Sequence, residues 1–181
     1  AATTSAPAGA LPVTYSQTPL AGDQVNGVGL AVLQVGNTVY VGGTFANVLD
    51  QTGTVIAQRA NLAAFDLGTG RLVSAFRADT DGAVRALATD GTRLFVGGSY
   101  LSIGGVARSR LAAVDLATGA VDTGFRAQVN SHVYALARYA GNLVVGGSFS
   151  TIGGATRSRL AIVADDTGTV RSFAPAFNDT I

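Results

Sequence analysis

A short apolar strand ending in two glycines occurs three times in this chain, and that recurrence limits the fold more than any other feature. Val39-Tyr40-Val41-Gly42-Gly43-Thr44-Phe45 returns as Leu94-Phe95-Val96-Gly97-Gly98-Ser99-Tyr100 and again as Leu143-Val144-Val145-Gly146-Gly147-Ser148-Phe149. A second string follows each copy. Arg59-Ala60-Asn61-Leu62-Ala63-Ala64-Phe65-Asp66 matches Arg108-Ser109-Arg110-Leu111-Ala112-Ala113-Val114-Asp115, and Arg157-Ser158-Arg159-Leu160-Ala161-Ile162-Val163-Ala164 is the third version. Gly97 and Gly146 are 49 residues apart, Gly42 and Gly97 are 55 apart, and the extra six residues lengthen a loop within 48–58. A fixed period of this size marks units that cannot bury their apolar faces alone and must stack on neighbours.

Each unit reads as four short strands, over 84–89, 93–100, 108–115 and 120–125 in the second copy. Val84, Ala86 and Ala88 fall on one face of the first strand, and Arg85, Leu87 and Thr89 on the other. Asp90-Gly91, Gly36-Asn37 and Gly141-Asn142 supply tight hairpin turns, and Thr69-Gly70, Thr118-Gly119 and Thr167-Gly168 join the last pair of strands. Four antiparallel strands in about 40 to 50 residues predict an all-β fold of β-propeller blades. Three blades are expected, over about 25–80, 81–129 and 130–178. A parallel β-helix has shorter coils and lacks such hairpin turns. The paired glycines (Gly42, Gly43, Gly97, Gly98, Gly146, Gly147) suit a crowded strand near an axis, where a neighbouring backbone comes close. Phe45, Tyr100 and Phe149 are expected to fill space between blades.

Composition agrees and removes much chemistry. All 12 basic residues are Arg, all 11 acidic residues are Asp, and Cys, Met and Trp are absent. The best helix formers are therefore scarce. Without Cys there is no thiol catalysis, disulfide or thiolate metal site. Without Lys there is no Schiff base and no phosphate-binding P-loop. The single His cannot build an imidazole zinc centre. A net charge of +1 offers no general attraction to nucleic acid, and no apolar run reaches the roughly 20 residues of a membrane span. No cofactor is expected.

The ordered string of Val-Gly-Gly-Ser/Thr-Phe/Tyr, Ile-Gly-Gly, Arg-Ser-Arg-Leu-Ala, Asp and Thr-Gly resembles the delta-60 repeat family, bacterial β-propeller repeats of large secreted or surface proteins. The resemblance covers Val25 to Ile181. The first copy departs from it by its enlarged loop and missing Ile-Gly-Gly, and the third by Ala164 in place of Asp. The family implies a propeller but brings no catalytic residues. The small-residue stretch over 1–24 reads as a leader following a signal-peptide cleavage site, hence a secreted or cell-surface chain. The Arg-for-Lys usage points to a high-GC bacterial source.

Closed propellers hold about four to eight blades. Phe173 to Ile181 repeats the interval of Phe125 to Val133, so a fourth copy is expected to start at the C-terminus. Closure then calls for further blades of the same chain or for a homo-oligomer, since an open stack would leave apolar faces exposed.

The candidate ligand-binding residues are Arg59, Arg108, Arg110, Arg157 and Arg159, which recur at equivalent positions and could form a basic ring for sugar acids. The competing reading pairs them with the repeat carboxylates Asp66 and Asp115. Asp79 and Asp81 resemble the opening of a calcium loop, but its later ligands are missing, so a turn is favoured. His132 follows Ser131 and aligns with Ala83 and Gly27, as an exposed turn residue. The five tyrosines could stack on sugars, although Tyr40 and Tyr100 fall on core positions. Asn178-Asp179-Thr180 is a glycosylation sequon. No catalytic residue is named. The expected function is a non-catalytic extracellular scaffold for adhesion or protein interaction. Carbohydrate binding and an Asp-dependent glycosidase or lyase are the alternatives.

Overall fold

The computed structural model describes residues 22–173. Most of the expected leader, the start of a fourth copy, Tyr15 and the Asn178 sequon lie outside the described residues. Within them the chain is all-β, built from small antiparallel sheets, with no helix and no closed barrel.

The first unit comprises β1 (Gln24–Val25), β2 (Val28–Val35), β3 (Thr38–Thr44), β4 (Asn47–Leu49), β5 (Val55–Gln58) and β6 (Leu62–Asp66). The second has β7 (Val84–Thr89), β8 (Arg93–Gly98), β9 (Ser102–Ile103), β10 (Val106–Ala107) and β11 (Leu111–Asp115). The third repeats these as β12 (Val133–Tyr139), β13 (Asn142–Gly147), β14 (Thr151–Ile152), β15 (Ala155–Thr156) and β16 (Leu160–Ala164). Each unit has a main sheet, ordered β2-β3-β6, β7-β8-β11 and β12-β13-β16. The fourth strand expected over 120–125 is reduced to a single bridge, Val114 to Val121, with Phe65 to Leu72 and Val163 to Val170 as its counterparts. Asp122 N–H donates to Ala113 O across that edge, as Val73 does to Ala64 O and Arg171 to Ile162 O.

A small outer hairpin, not anticipated from the sequence, leaves the main sheet of each unit: β4/β5, β9/β10 and β14/β15. The Ile-Gly-Gly string is its turn. Gly104 and Gly105 have φ of 55° and 77°, the two left-handed residues that a type I′ hairpin requires. The tail of the preceding unit adds to this hairpin through the pairings Thr80 to Ile103 and Val129 to Ile152, as Val25 does to Val48. The extra residues of the first unit extend the same hairpin.

The ladders correct one alignment. All three first strands carry a bulge at the same place, between Gly29 and Ala31, Val84 and Ala86, and Val133 and Ala135. Val28, rather than Gly27, is therefore the counterpart of Ala83 and His132. The bulge also explains the second glycine of each pair: a Cβ on Gly43, Gly98 or Gly147 would collide with the carbonyl oxygen of Val28, Ala83 or His132. The crowding comes from the unit's own first strand. At the first glycine it comes from the next unit, because Val84 sits on Gly42 and Val133 on Gly97.

The units stack in order, with β7 against β2 and β12 against β7. One core joins the first two units and includes Tyr40, Leu62, Ala64, Phe76, Leu94, Val96 and Tyr100. An equivalent core joins the next two through Phe95, Leu111, Ala113, Phe125, Leu143, Val145 and Phe149. Phe45 lies in a smaller cluster with Val48 and Ala63.

Candidate functional site

Four of the candidate arginines, Arg59, Arg108, Arg110 and Arg157, donate to backbone carbonyls. Arg59, 5% exposed, donates from Nη1 to Gln58 O at 2.8 Å and from Nη2 to Ser74 O at 3.0 Å. Arg108 donates to Ala107 O at 3.0 Å. Arg157 reaches Thr156 O, Arg171 O and Phe173 O at 2.8, 2.9 and 3.1 Å. Each ties the start of a main-sheet strand to local backbone. The Nε atoms of Arg59, Arg108 and Arg110 are buried without an acceptor. Asn61, Arg110 and Arg159 share a left-handed backbone, with φ of 66°, 67° and 67°. Arg110 Nη1 donates to Val129 O at 3.0 Å, and Asn61 Nδ2 makes the matching bond to Thr80 O at 2.9 Å.

The expected pairing of these arginines with Asp66 and Asp115 does not occur. Both carboxylates cap their own turns instead. Asp66 Oδ1 accepts from the backbone N–H and hydroxyl of Thr69, both at 2.8 Å, and Asp115 Oδ1 does the same with Thr118 at 2.8 and 2.7 Å. Those threonine hydroxyl bonds hold both carboxyls below the usual range. In the third unit Asp166, two residues beyond Ala164, caps the turn through Thr167.

Asp79 and Asp81 are also staples. Asp79 accepts from Ala60 N–H at 2.8 Å and pairs with Arg77 at 3.1 Å. Asp81 Oδ1 accepts from the successive N–H groups of Leu101 and Ser102 at 2.7 and 2.9 Å. Asn26 and Asn130 make the same double bond, to Ala46 and Asn47 and to Ser150 and Thr151. A side chain whose place an amide fills equally well is reading backbone. Among the described residues no cluster of three metal-ligating side chains exists.

One ion cluster escaped the sequence reading. Arg93 pairs with Asp90 at 2.7 Å and with Asp122 at 3.1 Å, and its guanidinium lies 5.3 Å from the Phe95 ring centre. Burial works against the charge on Asp90, but bonds from the N–H groups of Arg93 and Thr92, the Thr92 hydroxyl and the Arg93 guanidinium outweigh it, and its pKa falls to about 2. At Asp122 burial is likewise outweighed, by the Gly124 N–H and Arg93, and the shift is downward. His132 is exposed and stacks on Tyr134, their centres 6.1 Å apart. Arg85 lies 5.8 Å from the same tyrosine ring and donates from Nε to Ser99 Oγ at 3.2 Å. Ser131 bonds to Ser148.

The least satisfied surfaces are the two ends of the stack. On the first unit Val39, Val41, Phe65 and Leu67 line a groove of about 370 Å³. Their counterparts Leu94, Val96 and Val114, and again Leu143, Val145 and Val163, are fully buried. At the other end Val144, Leu160 and Ile162 remain half-buried and Phe173 is 47% exposed. Single-residue motifs could not reveal these faces; the unequal burial of equal residues does.

Comparison with protein-family models and with curated proteins finds no match. Among solved structures the chain is similar to the computationally designed Ika8 protein, with 16% identity over 77% of this chain, and a TM-score of 0.41. It spans 59% of that protein's length. It is also similar to the computationally designed Ika4 protein, with 16% identity, 83% of this chain and 99% of the other covered, and a TM-score of 0.42.

Proposed function

We propose that the chain is a non-catalytic β-propeller module of the delta-60 repeat type, serving as an extracellular interaction scaffold in a bacterial surface or secreted assembly. In this reading the three main sheets are blades, and the segments bridging at Leu72, Val121 and Val170 are their fourth strands. The observation that carries it is the joint between units, made twice from equivalent residues. The repeated polar side chains serve the same framework. Every carboxyl whose pKa shifts among the described residues moves downward, whereas an Asp-dependent glycosidase keeps one carboxyl protonated as general acid.

Hydrogen exchange tests the blades: the Val73, Asp122 and Arg171 amides should exchange as slowly as those of β3, β8 and β13, and rapid exchange there would count against a fourth strand. Assay against a panel of polysaccharides tests the absence of catalysis. Turnover lost in Asp90→Asn or Asp122→Asn would overturn the scaffold reading.

The Arg85, His132 and Tyr134 cluster favours a second reading, carbohydrate binding, since an exposed aromatic face beside hydrogen-bond donors suits a sugar. A glycan array with the native chain and Tyr134→Ala separates the two readings: signal lost in the variant supports binding, and no signal with either leaves the scaffold.

A further inference from the structure

The two ends of the stack carry the two halves of a joint that the chain builds twice internally. In each internal joint a phenylalanine from the tail of one unit is sealed between that unit's back face and the front of the next. Phe76 lies against Tyr40 and Phe125 against Phe95, both with almost no exposure. Phe173 follows the bridge at Val170 by three residues, one fewer than Phe76 after Leu72 and Phe125 after Val121, and it stands open at 47%. The front of the first unit has the apolar residues that receive such a ring, Val39, Val41 and Phe65, and there they border an open groove.

We propose that a second copy of this chain closes the stack, its Phe173 and the back of its third sheet seated on the front of the first sheet. The inference rests on the blade reading above. The described residues of one chain hold three main sheets, and closed propellers hold about four to eight blades. Two copies, joined front to back at both ends, meet that condition and leave no open face. One position distinguishes the new joint from the internal ones. Gly29 stands where Val84 and Val133 fill the space beside Gly42 and Gly97. It would face Gly146, whose Cβ position meets nothing closer than Ala135 Cβ at 3.5 Å. Valine at position 29 has room, since an added Cβ meets only Val41 Cγ1 at 3.5 Å.

Analytical ultracentrifugation of the full chain is the test, with circular dichroism to check folding. The native chain should sediment as two copies. Phe173→Asp should dissociate about thirtyfold more readily, the effect of losing an aromatic anchor. Gly29→Val should associate about tenfold more tightly through the added apolar contact. A native chain and Gly29→Val variant that both stay single, assemblies that grow past two copies, or a pair indifferent to Phe173→Asp would each overturn the proposal. A single chain with protected Val73, Asp122 and Arg171 amides would overturn the ring while leaving the blades standing.

Discussion

Phe125 packs against Phe95 with ring centres 5.6 Å apart and planes inclined at 59°, in the place that Phe76 occupies against Tyr40 at 5.2 Å and 74°. Tyr40 adds a hydroxyl bond to Leu116 O at 2.6 Å, which carries the first joint into the turn of the second unit. Offset and edge contacts of this kind add to the burial of the rings. The joints are therefore alike in packing while differing in one polar anchor.

Truncating either plug should open a cavity between units. Phe76→Ala and Phe125→Ala are each expected to lose about 3–5 kcal/mol in urea unfolding. A loss below about 1 kcal/mol at either site would mean that the joints are not held by these rings.

The paired glycines should separate by mechanism. Gly98→Ala places a methyl against the Ala83 carbonyl and should cost well over about 2 kcal/mol, because backbone must move. Gly146→Ala meets only Ala135 at contact distance and should change stability by less than about 1 kcal/mol. Parallel thermal melts of the two variants give the comparison.

Asp90 gives the chain a defined acid sensitivity. Its folded pKa of about 2 lies below the ordinary 3.8, so its contribution is complete above the unfolded value and disappears as pH falls toward the folded one. Asp90→Asn should lose about 1–2 kcal/mol at neutral pH, allowing for solvent screening. Its stability should then fall less steeply than the native chain's between about pH 4 and about pH 2. Urea midpoints across that range test both statements, and parallel curves would remove Asp90 from the account.

Arg110 occupies a left-handed backbone that asparagine tolerates better than arginine. Asn61 already makes the equivalent side-chain bond to a carbonyl. Arg110→Asn should therefore leave stability unchanged or raise it by up to about 1 kcal/mol, whereas β-branched Arg110→Val should lower it by about 1–3 kcal/mol. Chemical denaturation of the pair distinguishes backbone strain from a need for the cation.

The repeats, the Asp90-Gly91 turn, the first strand 84–89 and the buried Tyr100 and Phe149 were legible because each rests on spacing or local chemistry. The outer hairpins were not, since β9 and β10 hold two residues each and show no alternation. The arginine partners were missed for another reason: a guanidinium suits a carboxylate and a carbonyl equally, and residue type cannot choose between them. The one-residue error at Gly27 did not come from the bulge, which all three units share: Val28, Ala83 and His132 each stand 14 residues before the first glycine of their pair. Likewise, the identical letter cannot express the unequal exposure of Phe125 and Phe173.

The outer hairpin of the first unit shows where this framework accepts change. Its β4–β5 connection is longer than those of the other two units, yet the Val25 to Val48 pairing persists in the form of Thr80 to Ile103 and Val129 to Ile152. Length added at the tip never reaches the stacked cores. These three tips are natural insertion points, where a foreign epitope or reporter peptide could be grafted while the joints beneath keep their geometry.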